Sequence, residues 1–126
     1  MKPSLHAYNI AIDACSKCRG TSEDQTFALK VAFAINKAII AAEMEPNYIS
    51  YRYLIKCANN LVPPGEERNT ILKAVFDKCK NAGQVDDTVL KSLQMADLGT
   101  FYDIVKVTQK NVQLDALPRE WSRNIN

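Results

Sequence analysis

Apolar residues recur every three or four positions along most of this chain. Leu5, Tyr8, Ile12 and Cys15 make one such stripe behind Pro3-Ser4, which reads as a helix start. Arg19-Gly20 ends that helix. The segment TSEDQ begins another, with Thr21 or Ser22 as its cap and Glu23 and Asp24 at the positive helix end. The spacing predicts a long helix over residues 23–42. Phe27, Val31, Ile35, Ala38 and Ala42 share one of its faces, and Leu29, Phe33 and Ile40 another. A helix apolar on more than one side needs cover on more than one side.

The plan then repeats. Pro46-Asn47 opens a third helix carrying Tyr51, Leu54, Ile55 and Ala58. LVPPG breaks it, because the residue before a proline is disfavoured in helix. Glu66 and Glu67 open a fourth helix with Ile71, Leu72, Val75, Phe76 and Cys79 on a broad apolar face, and Gly83 stands at its expected left-handed stop. QVDDTVLKSLQMA predicts a fifth helix around Val85, Val89, Leu90 and Leu93. After a break at Gly99, TFYDIVKVT predicts a short sixth with Phe101, Ile104 and Val105. The pattern fades from Lys110, where Leu114, Leu117 and Trp121 are candidate surface anchors. Tyr8, Ile12, Val31, Ile35, Tyr51, Ile55, Val75 and Phe76 are the expected core.

Pro3, Tyr8 and Ile12 return as Pro46, Tyr51 and Ile55, all at one offset. Two helical hairpins of similar build are thus followed by a weaker third. Repeats of this size form αα solenoids, in which each unit buries its apolar face on its neighbours. The expected fold is therefore all-α, a right-handed αα-hairpin solenoid of about three hairpins. Its domain spans residues 1–109, with units at about 3–46, 47–82 and 83–109, and residues 110–126 form a tail. No segment keeps the two-residue alternation of a strand.

With 126 residues the chain is long enough for one domain, and 47% apolar against 24% charged residues reads as folded and soluble. No apolar run reaches the length of a membrane span. The net charge of +2 is small for a nucleic-acid binder, and the excess lies in residues 1–60. Cys15 and Cys18 form a C-x-x-C, but no second such pair or paired histidine completes four zinc ligands. Free thiols, in a reducing compartment, are the expectation for Cys15, Cys18, Cys57 and Cys79, with a disulfide as the next alternative and a metal site the last. No metal or cofactor is expected.

At PSLHAYNIAIDACSK the sequence resembles the first helix of a pentatricopeptide repeat, through Pro3, Tyr8, Asn9, Ile12, Asp13, Ala14, Ser16 and Lys17. PNYISYRYLIKC keeps Pro46, Asn47, Ser50, Tyr51, Leu54 and Ile55. The resemblance is good over residues 3–60, looser over 61–82 and only rhythmic beyond. The first unit is longer than the family's usual repeat, with the excess around RGTSEDQT. A chain that starts inside its own repeat reads as a piece of something longer, with any targeting segment upstream.

The resemblance implies binding of single-stranded RNA, with a contribution to organellar RNA processing or stability in mitochondrion or plastid. Asn9 and Asn47 match the family's pair of base-reading positions, and an amide offers a base edge both donor and acceptor. His6 and Ile49 match the positions that sandwich bases. Lys17 matches a lysine facing the phosphates. The second unit departs from the pattern, with Arg52 in place of a small reader and Asn60 in place of the lysine; Arg52 and Lys56 remain candidate phosphate contacts. Other roles stand beside these. Asn9 and Asn47 suit helix starts, Tyr8 and Tyr51 suit the core, and Arg52 and Lys56 suit a solvated face. A protein-interaction or capping module is the alternative function. No phosphate loop, nucleophile motif or cluster of histidines and carboxylates points to an enzyme.

Overall fold

The computed structural model describes residues 3–125; Met1, Lys2 and Asn126, which the expected domain and tail boundaries include, lie outside them. Six α-helices and, among the described residues, no strand make up the fold: α1 (Leu5–Ser16), α2 (Ser22–Ala41), α3 (Tyr48–Leu61), α4 (Glu66–Asn81), α5 (Asp87–Ala96) and α6 (Leu98–Val105). Two short 3-10 turns, Leu114–Ala116 and Arg119–Ser122, follow.

Local chemistry sets the helix starts. Ser4 Oγ accepts the Ala7 N–H. Thr21 and Asp24 exchange hydrogen bonds in a capping box, and Asn47 and Ser50 do the same for α3. Asp86 accepts from the Val89 N–H at 2.9 Å. Gly83, at φ +68°, ends α4 in the left-handed region, as its sequence position predicts. The break between α5 and α6 falls at Asp97 rather than at the expected Gly99. Asp97 is extended, closes α5 and caps α6 through the Thr100 N–H at 2.9 Å, so Gly99 sits inside α6.

α1 packs on α2 and α3, and α3 packs on α1, α2, α4 and α5. α3 is therefore the central helix. Tyr51, Leu54, Ile55, Cys57, Ala58 and Leu61 are all buried on it. Ile12, Val75 and Phe76 join them in the core. Tyr8, Val31 and Ile35, expected there too, are only half-buried.

α2 departs most from expectation. Its buried line is Ala32, Asn36 and Ile39, while Phe27 is 68% and Ile40 57% exposed. α2 packs mainly on α1 and α3. Ala28, Leu29, Phe33 and Ile35 are partly buried against the core, and the side of Phe27 and Ile40 stays open.

Arg68 on α4 is buried although charged. Its guanidinium donates to the carbonyls of Asn59, Val62 and Ala96 at 2.6–3.0 Å. Those carbonyls lie at the ends of α3 and α5, where unpaired acceptors and the negative helix pole favour a cation. The tail folds back over α4. The Val85 N–H donates to Trp121 O at 2.8 Å, and the Asn124 N–H to Gly83 O at 2.9 Å. Trp121 meets Phe76 edge-on, with ring centroids 5.7 Å apart. A side chain at Gly83 would collide with Arg123.

Candidate nucleic-acid interface

α1 and α3 meet along a polar seam. In helical register, His6, Asn9, Asp13 and Lys17 form one row on α1, and Ile49, Arg52, Lys56 and Asn60 the matching row on α3. Hydrogen bonds between the helices advance together, from Asn9–Ser50 through Asp13–Lys56 to Ser16–Asn60, so the two run in the same direction.

The first rung is an amide–hydroxyl network. Asn9 Nδ2 donates to Asn47 Oδ1 at 3.1 Å, and Ser50 Oγ donates to Asn9 Oδ1 at 2.6 Å. Asn47 Oδ1 also accepts the Ser50 N–H at 3.1 Å, while the Asn47 N–H donates to Ser50 Oγ at 3.0 Å. Asn9 is only 3% exposed. The sequence positions Asn9 as a base reader, but here its amide is spent between α1 and α3, because a buried amide must find partners. Asn47 is half-buried and serves as the cap of α3, the role that asparagine's short amide suits. The structure thus joins the two expected readers to each other.

The second rung is ionic. Asp13 takes Lys56 Nζ at 2.8 Å on one oxygen and Lys17 Nζ at 3.3 Å on the other. Partial burial pushes the Asp13 carboxyl up, but the hydrogen bonds and charges of Lys56 and Lys17 outweigh this and hold it below the usual 3.8. The third rung is Asn60 Nδ2 donating to Ser16 O at 3.1 Å. It opens onto a surface groove lined by Lys17, Arg19, Gln25, Asn59 and Asn60.

Arg52 lies 5.2 Å from the centre of the Tyr53 ring, and Lys56 lies 5.9 Å from it. Tyr53 is half-buried, as are Arg52, Lys56 and Ile49; His6 is exposed. Tyr53, Ser50 and Asp13 are seam residues that the repeat pattern does not mark as site residues. The signal for Tyr53 was its place between Arg52 and Lys56. The signal for Asp13 was its offset to Lys56, the same as between Pro3 and Pro46.

All four cysteines are free. Burial pushes the Cys57 thiol up to about 12, and its Sγ donates to Ile12 O at 3.4 Å. Among the described residues, no three His, Cys, Asp or Glu side chains are grouped to hold a metal, and no helix is long and apolar enough to cross a membrane. No protein-family model, curated protein or solved structure matches the chain.

Proposed function

We propose that the chain is a right-handed αα solenoid of about three hairpins, two pentatricopeptide-like and the third degenerate, and that the α1–α3 seam binds single-stranded RNA. The observation that carries this is the convergence of Lys17 and Lys56 on Asp13 from α1's end and α3, with Arg52 and Tyr53 about one turn from Lys56 and the Asn9–Asn47 pair about two turns away. Cations beside a half-exposed aromatic ring suit a strand that offers both phosphates and base faces. α1, α3 and α5, the first helices of the expected units, pack one on the next. That arrangement supports a common row in which successive units meet successive bases.

Binding is weak and little selective. Stacking contributes roughly 1–3 kcal/mol per base, so two units supply about 2–6 kcal/mol, the range of millimolar affinity. Asn9 discriminates bases only if a base edge displaces its bonds to Asn47 and Ser50. The test is titration of labelled oligonucleotides at two salt concentrations. Arg52→Ala with Lys56→Ala should weaken binding regardless of sequence and flatten its salt dependence by about 0.7 for each phosphate no longer neutralised. Unchanged affinity and slope would refute the seam as the RNA surface.

A second reading, protein interaction, is favoured by the open apolar side of α1 and α2. Ile10 is 53% exposed, and Ala7 and Ala14 flank it in register. Two of their counterparts on α3, Ser50 and Cys57, lie on the side that α1 covers, and the counterpart of Ile10, Tyr53, is half-buried. Under this reading Ile10→Asp and Phe27→Asp abolish association with the partner, and the lysine variants do not.

A further inference from the structure

Lys17 and Lys56 come from different helices yet close on one carboxylate, each taking a separate oxygen of Asp13 at 3.3 and 2.8 Å. A phosphodiester likewise presents two terminal oxygens that share one negative charge. The Asp13 carboxylate therefore fills the position that a backbone phosphate would take between these two lysines. Its own side chain is largely sheltered, at 20% exposure, whereas Lys17 and Lys56 stay 67% and 41% exposed. The lysines can turn outward to an incoming anion; the carboxylate stays behind them.

We propose that Asp13 is an internal competitor for RNA phosphate, pre-aiming Lys17 and Lys56 while holding the affinity of the seam down. This rests on the RNA-binding reading above. Two lysines and one carboxylate leave a single net positive charge at the rung. An arriving phosphate meets that reduced charge and is also repelled by Asp13 from beneath. Lys17, 67% exposed and 3.3 Å from the carboxylate, makes the weaker pair and exchanges one anion for the other most cheaply. Near the surface a full charge a few ångströms away still changes affinity by about three- to tenfold at low salt.

Asp13→Asn removes the charge with almost no change in shape. It should tighten binding of oligouridylate about three- to tenfold at low salt and steepen the salt dependence by about 0.7 for each lysine released. Asp13→Ser should act in the same direction, which guards against a folding defect peculiar to one variant. The gain should vanish when Lys17→Ala and Lys56→Ala are also present, because the effect runs through those lysines. If Asp13→Asn and Asp13→Ser bind no more tightly while the lysine variants still weaken binding, Asp13 is merely a tie between α1 and α3 and this inference fails, though the RNA surface stands. A tightening that persists without the lysines also overturns it. If the wild-type chain and every variant leave oligouridylate free at low salt, the RNA reading falls and this inference with it.

Discussion

α2 and α4 carry similar sequence at one offset, and they end in different environments. At the offset that relates Pro3 to Pro46, Leu29 matches Leu72, Phe33 matches Phe76, Asn36 matches Cys79 and Gln25 matches Arg68. On α4 Leu72, Phe76 and Cys79 are fully buried and Arg68 nearly so; on α2 Leu29, Phe33 and Gln25 are half-buried. The difference lies in what covers each helix. Trp121 folds over Phe76, α6 packs beside α4, and Arg68 ties α4 to the ends of α3 and α5. Among the described residues nothing comparable closes the outer side of α2. Similar sequence thus gives a buried helix face where cover exists and a half-exposed one where it does not.

Truncating the paired phenylalanines should break the symmetry most. Phe76→Ala should cost about 3–5 kcal/mol, the range for an aromatic removed from a full core, and Phe33→Ala roughly half of that. Chemical denaturation of both variants checks this; equal losses would mean that the tail does not cover α4 in solution. Arg68→Met should cost about 2–4 kcal/mol, because it strands the carbonyls of Asn59, Val62 and Ala96. Gln25→Met, its counterpart, should stay within about 0.5 kcal/mol. Ile35→Ala, at a half-buried site, should fall at or below the lower end of the usual range, about 2 kcal/mol.

A smaller effect, of opposite sign, is expected at Asn36. It is 5% exposed, and its Oδ1 has no hydrogen-bond partner among the described residues. Asn36→Leu should therefore stabilise the chain by about 1 kcal/mol, read as a higher denaturation midpoint. The smallest effect is on pH dependence. Asp13 and Asp97 both titrate below 3.8 in the folded chain, Asp13 because its lysines outweigh partial burial and Asp97 through hydrogen bonds from Thr100. Each thus adds stability that is present above the unfolded-state value and lost as pH falls through the folded one. Asp13→Asn should flatten the acid limb of a midpoint-against-pH curve, and an unchanged limb would show that its lysines are not engaged.

Helix number and most boundaries were legible in the sequence, because caps and glycine stops act locally and the chain carries them at Ser4, Thr21, Asn47, Asp86 and Gly83. The buried side of α2 was not. Apolar residues surround that helix, and which of them are covered depends on neighbours distant in sequence. Arg68 was illegible for the same reason: its partners come from the ends of two other helices. At the seam, the repeat pattern marked Asn9, Asn47 and Lys17, and Lys56 stood out as a charge one turn from Arg52, but neither told that Asn9 would turn inward to Ser50 or that one carboxylate would hold both lysines.

The most direct measurement is an amide chemical-shift map of the whole chain titrated with single-stranded RNA at low salt. Shifts should concentrate on residues 13–17 of α1 and 49–60 of α3, and should fade as salt is raised. Shifts confined to the side of Ile10 and Phe27, or none at saturating RNA, would contradict the seam as the binding surface.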